Sequence, residues 1–493
     1  MADENLFYRL RSLDRLLGDK WQENDGKSGE LAKQEIYFAS PSELNDPMEG
    51  FSNIIFKGDK IVWHNFFKHY VLCLERMYNT YNSLGSKEKL VDLSSLPIYE
   101  TYNIFLTAKN KKVFDGVYMD FKAEYGEVID KIAERTTTIT LYELHSYLRV
   151  IHTFIFDIIE KHYIPNIPFH IKNDTEALNK TNKNNIIQAI NATEQLKNKS
   201  LKLNNDKQNT DTIANLHEIL KTIIDSMNLN PLLQHLTKNQ RFMQYSFPDT
   251  YLQNLDKLMY PEYRVACFLK EAYNSSVWGH YADGHRGVCL IFKSHNKYLN
   301  LFGINPFSEE KQNHTLEFKA IHYKSFDKID FFENVCARLT GRELSYWYQN
   351  ENGEKSPIMS KIFANEYKWR KKYWKKAEKR LLTKTKDWKY EKEYRLTINS
   401  FLKDKIEGQE RIFKYNFNDL DGIIFGINTP QDAKEKIIDI VRQKCKNNNR
   451  QEFNLYQAYY CDKNKNIQYV PLPKFVLGFK AQSNNQNATN KAD

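Results

Sequence analysis

The strongest constraint on this 493-residue chain is where its strand signals fall. Residues 6 to 50 read as strand, helix, strand, turn. Leu6, Tyr8 and Leu10 alternate with Phe7, Arg9 and Arg11, and Leu13, Leu16 and Leu17 then take helical spacing. EIYFAS, from Glu35, reads as a second strand, ended by Pro41 and the Asn45-Asp46-Pro47 turn. Two strands cannot close a core alone. The strand pattern returns only from Tyr263, with RVACFLK, GVCLIFK, EFKAIHYK, YRLTINSF and GIIFGI. Pairing the early strands with the late ones is the simplest solution, and it brings the two ends of the chain together.

Between these groups, from Asp59 to Asn254, apolar residues recur at helical spacing, as in Leu141, Leu144, Leu148, Ile151, Phe154 and Ile158. The expected fold is therefore α+β: a split β core, mixed or antiparallel, with a large all-helical insertion. Residues 1–58 and 255–480 form the two parts of the core, and 59–254 the insertion. A basic helical segment, 332–382, interrupts the second part. Lys172 to Asp211, rich in Asn and Lys, reads as a surface helix pair or a flexible linker. The polar tail, 481–493, is expected to be disordered.

Composition narrows the class. Hydrophobic residues make up 41% and aromatics 14%, enough for a large core and too many for a disordered chain. Only 18 glycines and 13 prolines argue against a turn-rich all-β fold. The net charge of +10 is a weak pointer to an anionic partner. Six cysteines without CxxC spacing read as buried free thiols of a reducing compartment, not a zinc site or a disulfide set. No apolar run has signal-peptide or membrane-span length, so a cytoplasmic protein without membrane contact is expected.

Three stretches pack charged or turn-forming residues against aromatics: SPSELNDPMEG (Ser40–Gly50), WGHYADGHRGVCLIF (Trp278–Phe292) and WKYEKEYRL (Trp388–Leu396). Such residues are costly to bury unless paired, so together they suggest one buried polar site. On a strand, Glu391, Glu393 and Arg395 share one face, with Tyr394, Leu396 and Ile398 turned to the core. Two carboxylates on one face repel, and an arginine or a cationic substrate would relieve this. The blander reading is a structural Glu–Arg pair on a half-exposed sheet. Arg11, ending the first strand, suits phosphate or carboxylate recognition; taken alone, it is a surface ion-pair residue. Ser40 and Ser42, taken alone, are turn residues. Asp46 and Glu49 could bind a cation or hold Arg11. His280 and Tyr281 either contact a ligand or brace the GVCLIF strand within a buried polar network.

In combination, an arginine on an early strand, Ser-x-Ser ending a second strand and Glu-x-Glu on a late strand resemble the ADP-ribosyltransferase pattern. The resemblance implies that Arg11 holds a phosphate of NAD and that Ser40 supports the nicotinamide ribose. Glu393 would stabilise an oxocarbenium-like centre as nicotinamide leaves, and Glu391 would orient the acceptor. The chain also resembles a bacterial family known only as a domain of unknown function, often found in phage-defence loci. That likeness rests on YRLRS (Tyr8–Ser12), SP-x-x-x-NDP-x-E (Ser40–Glu49), W-x-HYA-x-x-H-x-G (Trp278–Gly287) and K-x-x-x-W-x-YE-x-E-x-R (Lys384–Arg395). It implies a role in defence or toxicity, and it supplies no chemistry.

The expected function is thus an NAD-consuming effector, an ADP-ribosyltransferase or NAD glycohydrolase. NAD would be the substrate, with no metal, a protein or nucleic-acid acceptor, and a partner protein at the helical insertion. Two alternatives stay open. The basic segment EYKWRKKYWKKAEKRLLTKTK, from Glu366, interleaves cations with Tyr367, Trp369, Tyr373 and Trp374, as a nucleic-acid surface would. Asp46, Glu49, Glu391 and Glu393 could then hold Mg²⁺ for a nuclease; the plainer reading of the segment is an amphipathic helix with its aromatics inward. The other alternative is a non-enzymatic nucleotide sensor.

Overall fold

The computed structural model describes residues 5–84, 96, 98, 107–163, 170–203, 238–305, 308–400, 406–472 and 475–476. The polar tail 481–493 and the end of the Asn/Lys-rich stretch, 204–211, lie outside them. The chain is mixed α and β and divides into two compact units. The first unit takes Met1–Phe51, Pro261–Phe326 and Lys379–Asp493. The second takes Ser52–Tyr260 and Asp327–Glu378.

The first unit is built on a nine-stranded mixed sheet. Its middle strand is Val288–Lys293, VCLIFK, whose unbroken apolar run is buried through Phe292, as a strand covered on both faces requires. Leu6–Arg11 pairs antiparallel along all six of its positions, from Leu6–Lys293 to Arg11–Val288. On its other side, Val288–Lys293 pairs with Leu420–Phe425. That strand runs parallel to Glu452–Cys461, with the helix Gln431–Asn447 as the crossover that parallel strands need. Beyond Leu6–Arg11 lie Glu262–Leu269 and then Glu393–Ser400, paired antiparallel over eight positions. A second, four-stranded sheet runs in the order Glu35–Tyr37, Ile412–Tyr415, Tyr298–Ile304, Lys311–Glu317. One core cluster joins the two sheets, with Phe7, Phe38, Phe268, Phe292, Leu396 and Phe413 in it. The opposite face of the large sheet, at Tyr8, Leu10 and Ile291, is covered by Trp278 of the short helix Ser275–Tyr281.

Two expected strands are redrawn. EFKAIHYK is not continuous: it breaks into Lys311–Glu317, Lys319–Ala320 and His322–Tyr323. Phe318 turns inward at the break and stacks on Phe7 with centroids 3.8 Å apart, and ring burial there outweighs ladder continuity. YEKEYRLTI, from Tyr390, begins three residues late, at Glu393.

The second unit is helical around one aromatic-rich core. Its long helices are Lys60–Leu84, Ala108–Ala133, Leu141–Tyr163 and His170–Leu203. The Asn/Lys-rich stretch is thus helical up to Leu203, and it buries Ile186 and Ile190, four residues apart. A small sheet, Lys328–Asp330 with Asn53–Phe56 and Ile139–Thr140, completes the unit. No helix among the described residues is long and apolar enough to cross a membrane.

Candidate functional site

The strands Leu6–Arg11 and Glu262–Leu269 are neighbours, yet they pair at one register position, Tyr8 opposite Leu269. Beyond it Ala39 takes the free edge of the longer strand and exchanges both backbone hydrogen bonds with Val265, at 2.8 and 2.9 Å. The parting of the strands accompanies a cavity of about 680 Å³ in the first unit. Arg9, Arg11, His280, Tyr281, Glu391 and Glu393 line it, together with Cys267 and Lys384.

The acidic wall starts at a kink. Lys386–Glu391 is a 3₁₀ helix, and Lys392 is left-handed, with φ 49°. Such a conformation costs a non-glycine residue about 1–2 kcal/mol. Glu391 therefore does not reach its place by strand alternation. Lys384 Nζ lies 2.8 Å from Glu391 Oε2 and 2.7 Å from Glu393 Oε2. The cation that relieves the two carboxylates is thus Lys384 as well as Arg395. Arg395 Nε donates to Glu393 Oε1 at 2.7 Å, and its Nη2 donates to Glu49 Oε2, also at 2.7 Å. Arg395 is fully buried. The half-exposed sheet face expected around it is closed.

Three glutamates here face two cations. Burial would raise the Glu393 carboxyl, but Arg395 and Lys384 hold it down at about 2, so it stays ionised. Glu391 goes the other way. Burial raises its pKa and the charge of Glu393 adds to this, with Lys384 and the Tyr281 hydroxyl pulling back. Tyr281 donates to Glu391 Oε1 at 2.6 Å. Burial and the charge on Glu391 lift its own pKa, which keeps it a donor. The two carboxylates are chemically unlike: one a fixed anion, the other poised to take a proton.

The basic wall differs from expectation. Arg11 lines the cavity, but its Nε pairs with Glu30 Oε2 at 2.8 Å. Arg9 is the more telling group. Its side chain is only 4% exposed and sits over the Phe268 ring at 5.0 Å. Nη1 and Nη2 donate to the carbonyls of Cys267 (3.3 Å) and Tyr37 (3.1 Å), and Nε makes no hydrogen bond. Among the described residues no carboxylate pairs with it. A buried guanidinium without a counter-charge is costly, and an anion bound in the cavity would relieve that cost. In sequence Arg9 only alternates with Tyr8, as strand patterning does anywhere, so nothing local marks it.

Ser40 and Ser42 are not among the lining residues. Ser40 caps the 3₁₀ turn Pro41–Glu43, its hydroxyl donating to Glu43 Oε2 at 2.8 Å and lying 3.0 Å from Ser42 Oγ. Glu49 holds Arg395 and not Arg11, and Asp46 Oδ1 accepts the Met48 N–H at 2.9 Å within its turn. Among the described residues no group of three or more His, Cys, Asp or Glu side chains is placed to hold a metal ion. His280 is exposed at the rim, on the same short helix as Tyr281. Lys384 was visible in sequence only as the first residue of the K-x-x-x-W-x-YE-x-E-x-R spacing.

A family model described as a protein of unknown function, DUF2971, matches residues 277–396. The matched segment carries Tyr281, Lys384, Glu391, Glu393 and Arg395, and it leaves out Arg9, Arg11 and Glu49. No curated protein and no solved structure matches the chain.

Proposed function

We propose that the cavity binds a dinucleotide and that the protein consumes NAD, as an ADP-ribosyltransferase or NAD glycohydrolase. The observation that carries this reading is one cavity lined by the buried, unpaired guanidinium of Arg9 and by two carboxylates of opposite protonation tendency. Arg9 takes the phosphate role first given to Arg11. In the reaction, the bond from the ribose carbon to the nicotinamide nitrogen breaks, and the electron pair leaves with nicotinamide. The ionised Glu393 carboxylate stabilises the positive charge left on the ribose. A water or an acceptor hydroxyl then bonds to that carbon; the proton of an acceptor passes to Glu391, whose raised pKa suits a base, and that of a water passes to solvent. The likeness to a family found in phage-defence loci supports a role in defence or toxicity.

A second reading, a nucleotide sensor without chemistry, also has an observation behind it. The Glu393 oxygens are already committed to Arg395 and Lys384, which suits a brace as well as a catalyst. One experiment separates the two. The purified protein is titrated with NAD in a calorimeter, and the same mixture is followed by chromatography for free nicotinamide. Binding with nicotinamide release supports the enzyme. Binding without release gives the sensor, and no heat of binding to NAD, ADP-ribose or ADP removes both.

A further inference from the structure

The helix Glu366–Leu381 carries six lysines and two arginines against two glutamates. Its aromatics do not share one side. Tyr373 is buried, donates to the Met259 carbonyl at 2.7 Å and stacks on Tyr260 with centroids 5.4 Å apart. Trp369 packs against the same core and donates to the Glu333 carbonyl at 3.1 Å. These two face inward with Ala377, as an amphipathic helix requires. Tyr367 and Trp374 do not. Tyr367 is 80% exposed and Trp374 39%. They lie seven residues apart, so they project from nearly the same side, about 10 Å apart along the axis. Lys371 falls between them on that side, and Lys368, Lys372 and Lys375 form a ridge beside it at helical spacing.

Those four lysines are exposed and make no ion pair among the described residues. Arg370, by contrast, is tied to Glu366 at 2.8 Å. Burying Tyr367 or Trp374 would be the ordinary economy of a helix that already buries two aromatics. Tyr367 left outside and Trp374 part-exposed, edge-on to Tyr373 with centroids 5.0 Å apart, in line with a bank of cations, give a surface that complements a flexible polyanion carrying rings of its own. A duplex offers phosphates and groove edges but hides the base faces on which a ring could stack. An anionic membrane would attract the lysines, but it offers nothing that stacks.

We propose that the outer face of this helix, Tyr367, Lys368, Lys371, Lys372, Trp374 and Lys375, is a docking surface for single-stranded nucleic acid. The rings stack on bases and the lysine ridge follows the phosphates. The surface lies in the helical unit, and the proposal does not depend on what the cavity of the first unit binds.

The test uses the full chain and a fluorescent 20-nucleotide single strand, with anisotropy read at two salt concentrations. Competitors are the same sequence as a duplex and vesicles rich in phosphatidylserine. The wild type is expected to prefer the single strand, with steeply salt-dependent affinity. Y367A/W374A is expected to weaken binding roughly 10- to 100-fold while keeping the salt slope, because stacking and not charge is lost. K368Q/K371Q/K372Q/K375Q is expected to flatten the slope by up to about three. Melting curves unchanged from wild type show that neither variant acts through folding; if either unfolds, the single substitutions Y367A and K371Q replace it. The proposal is overturned if duplex or vesicles compete as well as the single strand, if Y367A/W374A binds like wild type, or if no binding is seen at physiological salt.

Discussion

Arg395 Nη2 lies 2.7 Å from Glu49 Oε2, and Nη1 reaches the other oxygen of the same carboxylate, so two residues 346 positions apart form one bidentate ion pair. Both side chains are essentially shielded from water. The pair fastens the turn that ends the Ser40–Gly50 stretch to the strand carrying Glu393.

Arg395→Met should destabilise the first unit by about 3–5 kcal/mol, because it leaves Glu49 buried with its charge uncompensated. Glu49→Met should cost a similar amount by stranding part of the guanidinium. The double variant should recover part of the loss, with a coupling of roughly 1–3 kcal/mol. Urea unfolding of the four proteins measures it, and additive costs would mean that the pair is not a unit.

Arg9→Met should behave oppositely. It removes a buried charge that lacks a counter-ion, so stability without ligand should fall by less than about 1 kcal/mol, or rise. Affinity for NAD or ADP-ribose should drop at least tenfold, about 1.4 kcal/mol. Thermal melting paired with calorimetry checks both. A strongly destabilised variant that still binds would assign Arg9 to the scaffold.

The two glutamates should separate. Glu393→Gln should cut nicotinamide release roughly 10²–10³-fold, since it removes the fixed anion. It should also cost about 1–3 kcal/mol of stability, because Arg395 and Lys384 lose a charged partner. Glu391→Gln should fold well and keep NAD hydrolysis while losing transfer to an acceptor. Rates normalised to folded protein decide, and equal loss of both activities in Glu391→Gln would erase the distinction.

Mild acid should weaken the packing around His152 in the helical unit, while Asp330 of the same unit, whose carboxyl pKa burial lifts to about 7, gains stability over that range. His152 is buried and neutral: its Nε2 donates to the Met243 carbonyl at 2.6 Å, and its Nδ1 accepts from Tyr70 at 2.8 Å. Burial, helped by Arg149, lowers its pKa from 6.5 to about 4. Between those values the unfolded chain takes a proton that the folded one refuses, so stability falls as pH falls through the window. At about 1.4 kcal/mol per pH unit, the contribution of His152 falls by roughly 3 kcal/mol. Glu393, held at about 2 against an ordinary 4.5, contributes stability that goes only below 4.5. Hydrogen exchange at pH 7 and pH 5 should show lost protection around Tyr70 and His152 and retained protection in Glu393–Ser400. Equal loss in both would refute the assignment.

The sequence disclosed the strands because VCLIFK, RVACFL and GIIF carry their signal locally, in apolar runs bounded by turns. The wide separation of the paired ends was legible too, since two strands cannot bury a sheet by themselves. The identity of the partners was not. Arg11 and Arg9 look alike in LFYRLR, and only Glu30, brought in by a helix, makes one of them paired and the other not. Glu391 and Glu393 read as strand neighbours because nothing in KYEKEY announces a left-handed lysine. Tyr367 and Trp369 are equally aromatic in sequence, and which of them faces water depends on where the helix packs.

The discontinuity of the first unit has a consequence in time. Its ion pair joins Glu49 to a residue made 346 positions later, and Lys384 and both cavity glutamates also belong to that late segment. At roughly 5–20 residues per second, a ribosome that has finished Glu49 needs about 20–70 s more to reach Arg395. Throughout that interval the nascent chain carries Arg9 but none of the carboxylates it would work with. A truncated product ending anywhere before Lys384 therefore lacks the acidic wall of this cavity, however well its helical portion has folded.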